Sequence, residues 1–153
     1  MSALWHGFSW GAVLFVTLAG CMLLAAVVRA ANTVDDDALL LWAIAERDSG
    51  NNPDAIGSRG EFTRYQFMPE TWRHYTDATP EQARRNPEIA DAVARMHLAD
   101  LKDELRRGGL KPTPRLLALA WNAGSPAVIR RELLGAHLRY AEHVVNLYTE
   151  AAR

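Results

Sequence analysis

The carboxyl groups best suited to acid chemistry lie at the end of the first helix predicted for the folded part of the chain. Hydrophobic periodicity predicts this helix over residues 38–48, and its last turn carries Glu46 and Asp48. The C-terminal end of a helix has negative partial charge, so ionising a carboxyl group there costs free energy. Such a group can hold a proton near neutral pH and give it to the leaving oxygen of a bond that breaks.

The residues after this helix predict a turn and then a small β-ribbon. A polar segment containing Gly57 and Gly60 comes first. It is followed by alternating positions, with Phe62, Arg64 and Gln66 on one face and Thr63, Tyr65 and Phe67 on the other. Alternation of this kind indicates a strand pair. A cleft is expected where the helix end meets the ribbon.

The stretch Asp48–Thr71 resembles the first half of the soluble lytic transglycosylase domain, a family with a lysozyme-like fold. The positions that match its motif without a gap are Ser49, Asn52, Pro53, Ala55, Gly60, Gln66, Met68, Pro69 and Thr71. Residues 118–124, which read A-L-A-W-N-A-G, resemble the second motif of the family, and Val128 follows as it does there. The similar parts span about residues 38–150, and two ordered motifs are a specific signal.

The resemblance implies a function for Asp48, which stands where the family has its catalytic Glu. In the family one carboxyl group first protonates the glycosidic oxygen between N-acetylmuramic acid and N-acetylglucosamine in peptidoglycan. The same group then acts as a base while the 6-hydroxyl of the muramoyl residue attacks the anomeric carbon, which leaves a 1,6-anhydro product. The resemblance implies neither a metal nor a cofactor.

Three interpretations of the acid remain open at this level. Asp48 is one methylene shorter than Glu, and it could act as the acid in a tighter cleft. Alternatively, the fold has lost catalysis, and the chain is a non-catalytic glycan-binding or envelope-assembly protein. Glu61 corresponds to a second carboxylate found in some lysozyme-like hydrolases, and with Asp48 it would give an inverting muramidase-like hydrolase. Glu61 is otherwise a ribbon residue paired with Arg59 or Arg64. Glu46 or Glu61 could also supply the proton in place of Asp48, but Glu46 points away from Asp48 on a helix and is a poor substitute.

Polar and aromatic side chains of the two motifs are candidates for holding the glycan. The residues expected to bind sugar hydroxyls and N-acetyl groups are Ser49, Tyr65, Gln66 and Asn122, and Trp121 is expected to stack on a sugar ring. For Gln66 and Asn122 the alternative is a structural role through backbone hydrogen bonds. For Trp121, Trp72 and Trp42 the alternative is core packing, which we favour for Trp42.

Capping residues followed by proline predict most of the remaining helices. Beyond residues 38–48, helices are expected at 69–75, from 80, at 87–107, 114–122, 126–134 and 136–151. The long helix has a buried stripe predicted at Ala90, Val93, Ala94, His97, Leu98, Leu101 and Leu105, where His97 is interpreted as a core residue. The predicted fold is therefore mainly α and lysozyme-like with a small β-ribbon, preceded by an N-terminal apolar helix.

Length and charge further limit the number of domains and the classes of partner. The chain has 153 residues, 49% of them hydrophobic, which suits one domain with a real core. Its net charge of −1 argues against nucleic acid as a partner. Peptidoglycan glycan strands are the partner that the resemblance implies.

The N-terminal segment predicts export. Phe8–Val28 contains no charged residue and is long enough to cross a bilayer. It is either a signal peptide, a membrane anchor within residues 1–30, or a lipoprotein signal ending at Cys21. Residues 31–37 are then a linker and residues 38–153 the lysozyme-like domain. We expect a periplasmic or cell-envelope protein whose only membrane contact is residues 8–28.

Overall fold

Residues 35–153, which are those that the computed structural model describes, form seven α-helices. These are α1 (Asp36–Ser49), α2 (Pro69–Arg73), α3 (Pro80–Arg85), α4 (Pro87–Arg107), α5 (Pro114–Ala123), α6 (Ser125–Arg130) and α7 (Gly135–Ala151). None of the helices between Asp35 and Arg153 combines the length and the apolar composition that crossing a membrane requires. The predictions for Phe8–Val28 and Cys21 lie outside the described residues.

Helix α1 begins two residues earlier than expected because Asp35 caps it. The Asp35 side chain accepts a hydrogen bond from the Asp37 N–H at 3.1 Å, and two aspartates in the first turn face the positive end of the helix. The helix ends at Gly50, whose φ of 62° is left-handed, and the Gly50 N–H reaches the Glu46 carbonyl at 2.9 Å. These caps fix the end of the helix immediately after Asp48.

The buried face of α1 differs from the predicted one. Core packing was expected for Trp42, but Trp42 is 38% exposed. The buried positions are instead Leu40, Leu41, Ala43, Ile44 and Ala45. Helix α1 packs against both α4 and α7, so nearly every side of its middle turn is covered. A single amphipathic stripe is therefore the wrong pattern for this helix.

The loop between α1 and α2 makes isolated bridges rather than the predicted ribbon. Phe62 pairs in antiparallel fashion with Ile56 and with Phe67. The N–H groups of Phe62 and Phe67 donate to each other's carbonyl oxygens at 3.1 and 2.9 Å. Between them, Thr63 and Gln66 adopt positive φ values of 67° and 49°, which turns the chain too tightly for a strand pair to continue.

The remaining helices surround α1 and follow the predicted starts closely. Helix α4 runs over the predicted residues because the Asn86 side chain caps it and Pro87 occupies its first turn. Six of the seven predicted stripe residues are buried, and the seventh, His97, is half-buried. Helix α6 ends at Arg130, four residues before the expected end, because Arg131 takes a left-handed φ of 60°. Helix α7 then packs on α5 and α1, which places its buried face behind the end of α1.

Candidate active site

A cavity of about 320 Å³ opens at the end of α1 and collects most of the residues singled out in the sequence. Its lining consists of Arg47, Asp48, Arg59, Glu61, Gln66, Met68, Trp121, Asn122 and Tyr140. Helix α1 supplies the first two, the loop before α2 the next four, the end of α5 the following two, and α7 the last. Five residues predicted for the site therefore meet here, although they are spread over more than seventy positions of the chain.

Asp48 is the carboxyl group of the cavity whose pKa is governed by burial. It lies in the last turn of α1, and its Oδ2 accepts a hydrogen bond from the Tyr140 hydroxyl at 3.2 Å. Burial raises the pKa of Asp48 to about 7, while the Tyr140 hydrogen bond and the charge of Arg47 act in the opposite direction. A large fraction of Asp48 is therefore protonated at neutral pH, as a general acid requires.

Tyr140, like Arg47, is a site residue that sequence reasoning missed. It is only 6% exposed and lies on the buried face of α7, next to Ala141 and one turn before Val144. A tyrosine on a buried helical face needs a hydrogen-bond partner for its hydroxyl, and that requirement was the available signal. The partner is 92 positions away in the sequence, so only the packing of α7 against α1 reveals it.

Glu61 lies in the same cavity but in an ionic environment. Its Oε2 accepts the Arg59 backbone N–H at 2.9 Å, and its Oε1 lies 2.8 Å from Arg59 Nε and 2.7 Å from Nη2. Its own backbone N–H, the Arg59 N–H and the Arg59 guanidinium hold the pKa of Glu61 below its ordinary value. Glu61 is therefore an ionised carboxylate with both oxygens occupied.

Gly57 makes room for this carboxylate. A Cβ atom on Gly57 would lie 2.4 Å from Glu61 Oε2 and 2.8 Å from Gln66 Oε1, closer than atoms can approach. The Gly57 N–H also donates to the Glu61 carbonyl at 2.7 Å. A larger residue at this position would force the ends of the Glu61 and Gln66 side chains to move away from the loop.

Gln66 has a structural role and also lines the cavity, so both interpretations considered for it apply. Its Nε2 donates to the Thr63 carbonyl at 2.9 Å and to the Ala55 carbonyl at 3.3 Å. These bonds tie the two sides of the loop together, and the side chain also lines the cavity. Asn122, at the end of α5, is exposed and lines the cavity as well.

Trp121 is held by an aromatic cluster on one side and lines the cavity on the other. Its ring centroid lies 4.8 Å from that of His97, 5.4 Å from Phe67 and 6.1 Å from Tyr65. Burial lowers the pKa of His97 to about 4, so its ring is neutral, and its Nδ1 lies 3.0 Å from the Tyr75 hydroxyl. Half-buried Trp121 can therefore present a fixed indole surface to a sugar ring.

Ser49 and Tyr65 do not line the cavity. The Ser49 hydroxyl donates to the Arg64 carbonyl at 2.8 Å and accepts the Asn52 N–H at 3.0 Å, which fastens the loop to the end of α1. The Tyr65 hydroxyl donates to Asp91 on α4 at 2.9 Å. Both side chains thus hold the loop in place beside Asp48; the Tyr65 ring also packs near Trp121, but neither Ser49 nor Tyr65 lines the cavity.

Comparison with known proteins gives a family match over most of the chain. A family model described as "Transglycosylase SLT domain" matches residues 26–142. The matched range includes every residue that lines the cavity. A search of curated proteins finds no match. Within residues 35–153 no group of three histidine, cysteine or acidic residues is placed to hold a metal ion.

Proposed function

The chain belongs to the transglycosylase SLT domain family of the lysozyme-like superfamily, and we propose that it cleaves peptidoglycan glycan strands with Asp48 as the single acid. The observation that carries this proposal is the position of the Asp48 carboxyl group, which Tyr140 holds in a cavity that also contains Gln66, Trp121 and Asn122. Burial there raises the pKa of Asp48 to about 7. Asp48 stands at the position where the family has its catalytic acid. The bond proposed to break joins N-acetylmuramic acid to N-acetylglucosamine.

The proposed reaction has two proton transfers and no net change in the enzyme. Protonated Asp48 gives its proton to the glycosidic oxygen, the bond from this oxygen to the anomeric carbon breaks, and positive charge develops on the muramoyl ring. The Asp48 carboxylate then removes the proton of the 6-hydroxyl, whose oxygen bonds to the anomeric carbon. The product is a 1,6-anhydro sugar, no water is consumed, and Asp48 is protonated again.

Asp48 must perform this chemistry with a shorter side chain than the family's Glu. Its carboxyl group is withdrawn by one C–C bond, about 1.5 Å. The hydrogen bond from Tyr140 restrains the carboxyl group, and the shorter side chain means that the glycosidic oxygen has to approach α1 more closely. Restoring the longer side chain in Asp48→Glu is expected to keep or raise the rate, since a misplacement of this size costs on the order of 100-fold.

A second candidate is an inverting hydrolase in which Glu61 activates water. The observation in its favour is that Glu61 is ionised and lines the same cavity as Asp48. Against it, both Glu61 oxygens are already engaged by Arg59, which lowers the basicity of the carboxylate. We therefore favour the transglycosylase, in which Glu61 holds Arg59 and the loop in place.

Access to peptidoglycan requires that the chain reach the cell envelope. We propose that the segment Phe8–Val28 exports or anchors the chain. Residues 38–153 then form the glycan-cleaving domain outside the cytoplasm.

Digestion of purified peptidoglycan by the full-length chain, followed by mass analysis of the products, tests the proposal. A transglycosylase gives anhydro-muropeptides, which are lighter by one water than the reducing-end products of a hydrolase. Asp48→Asn should release either kind of product at least about 100-fold more slowly. Reducing-end products would favour the Glu61 mechanism, and binding without any product would indicate a glycan-binding protein.

A further inference from the structure

Arg47 is the cavity residue to which the proposed reaction gives no part. It precedes Asp48 in the last turn of α1, is exposed, and lines the same cavity. Its guanidinium carbon lies 5.4 Å from the centroid of the Tyr140 ring. Contact with an aromatic face restrains a guanidinium group without neutralising it. The group is thus held beside the acid with its hydrogen-bond donors available.

The charges around the cavity leave Arg47 uncompensated. Arg59 is neutralised by Glu61, 2.7 Å away, and about half of Asp48 is uncharged at pH 7 because burial raises its pKa to about 7. The remaining lining residues are uncharged. Arg47 takes part in none of the ion pairs formed within residues 35–153. The cavity therefore has an excess positive charge next to the acid.

We propose that Arg47 binds a carboxylate of the substrate and makes the site selective for glycans that carry one. This inference rests on the proposed function and deepens it. A muramoyl residue has a lactyl group that ends in a carboxylate when no peptide is attached, and the peptide supplies other carboxylates when one is. Chains of N-acetylglucosamine have neither. A guanidinium group binds a carboxylate through two parallel hydrogen bonds, which a neutral glycan cannot form.

The position of Arg47 suits this contact. Consecutive Cα atoms are about 3.8 Å apart, and the side chains of Arg47 and Asp48 both reach the cavity. A sugar ring whose glycosidic oxygen meets Asp48 therefore occupies the cavity that Arg47 also lines. The contact would place the muramoyl residue, rather than its neighbour, on the side of the bond where the 6-hydroxyl must attack.

Binding measurements on the full-length chain with Asp48→Asn, which prevents cleavage, test the inference. The ligands are soluble strands without peptides, strands with peptides, the carboxyl-amidated form of each, and a neutral N-acetylglucosamine oligomer. Arg47→Gln is added to this background, with Arg47→Lys as a conservative variant. Arg85→Gln is the control, since Arg85 is an exposed arginine at the end of α3 that does not line the cavity.

Arg47→Gln should weaken binding of a carboxylate-bearing strand roughly tenfold or more, as expected for loss of a charge-assisted hydrogen bond. It should leave the amidated strands and the neutral oligomer unchanged, Arg47→Lys should lose less, and Arg85→Gln should change nothing. An effect on peptide-free strands identifies the lactyl carboxylate, and an effect confined to peptide-bearing strands identifies the peptide.

Equal weakening of charged, amidated and neutral ligands, or no weakening at all, would overturn the role of Arg47 and leave the proposed function standing. Cleavage of peptidoglycan by the wild-type chain separates the two claims. If the wild-type chain cleaves nothing and the Asp48→Asn chain binds none of the ligands, the proposed function fails and the inference fails with it.

Discussion

The two sides of the cavity hold the same chemical group in opposite environments. On the helix side Asp48 is packed behind α7, with one neutral hydrogen bond from Tyr140, and burial raises its pKa to about 7. On the loop side Glu61 accepts backbone N–H groups and the Arg59 guanidinium, which lower its pKa. Environments that separate two carboxyl pKa values separate their functions. Asp48 can keep its proton at neutral pH, whereas Glu61 binds the Arg59 guanidinium and keeps the loop in place.

The largest expected difference between the two sides is in the rate of cleavage. Asp48→Asn should lower the rate by about 10²- to 10⁴-fold, the usual contribution of a general acid, because the amide has no acidic proton to transfer. Glu61→Gln should retain activity and anhydro products, since a transglycosylase needs no second carboxylate. Initial rates of muropeptide release from peptidoglycan measure both. Unchanged activity in Asp48→Asn would refute the assignment of the acid.

The same two substitutions should change stability in opposite directions. The pKa of Asp48 is about 7 in the folded state and 3.8 without the fold, so the folded chain holds this proton more firmly. Wild-type stability therefore falls as pH rises from about 4 to 7. Asp48→Asn avoids this loss and should be more stable than wild type at pH 8, by on the order of 3 kcal/mol, with little difference at pH 4.

Urea unfolding at pH 4 and pH 8 measures this difference, and Glu61→Gln supplies the opposite case. The lowered pKa of Glu61 means that its stabilising contribution is present above the unfolded-state pKa and is lost as pH falls through the folded-state value. Glu61→Gln should therefore destabilise the chain at pH 8 and make progressively less difference on acidification. If both variants are more stable than wild type at pH 8, or both are less stable, the proposed difference between the two carboxyl groups is contradicted.

A steric substitution should disturb the loop side alone. Gly57→Ala places a Cβ atom 2.4 Å from Glu61 Oε2, so the Glu61–Arg59 pair has to move. We expect a loss of about 1–3 kcal/mol in unfolding free energy, the usual cost of overpacking. Gly50→Ala is a useful second variant because a Cβ atom there meets nothing within 4 Å and only the left-handed φ is affected. Thermal unfolding measures the stability of both variants. If Gly57→Ala leaves the free energy of unfolding unchanged, the proposed close contact between position 57 and Glu61 is contradicted.

The smallest expected effect lies on the helix side. Tyr140→Phe removes the hydrogen bond that favours the Asp48 carboxylate, so the pKa of Asp48 should rise further. The alkaline limb of the pH–rate profile should move upward by less than about one pH unit, since one such bond is worth about 1 kcal/mol. Tyr148→Phe is the matched control on α7, because the Tyr148 hydroxyl donates to Asp36 outside the cavity. A downward shift in Tyr140→Phe would contradict the assignment.

Helix starts and one packed face could be predicted from the sequence because their causes are local. Asn86 and Pro87 define the start of α4, and a period of 3.6 residues identifies its buried stripe. The resemblance brought five cavity residues together before any geometry was available. The pairing of Glu61 with Arg59 was one of the alternatives left open, and the two residues are close in sequence.

Other features depend on contacts that the sequence does not display. Helix α1 is covered by two other helices, and periodicity along one helix cannot reveal that Trp42 lies on the side left exposed. The ribbon prediction was not confirmed, because positive φ values at Thr63 and Gln66, which are not glycines, turn the chain early. Tyr140 reaches Asp48 from α7. The hydroxyl groups of Ser49 and Tyr65 instead donate hydrogen bonds to the Arg64 carbonyl in the loop and to Asp91 on α4.

A carbon-13 NMR titration of the Asp48 side-chain carboxyl group tests the central claim most directly. Selective labelling of aspartate, with Asp48→Asn to assign the resonance, follows its ionisation between pH 3 and pH 9. We predict a midpoint of about 7, because burial behind α7 outweighs the Tyr140 hydrogen bond and the charge of Arg47. A midpoint near the ordinary aspartate value of about 3.9 would mean that Asp48 is ionised at neutral pH and is not the proton donor.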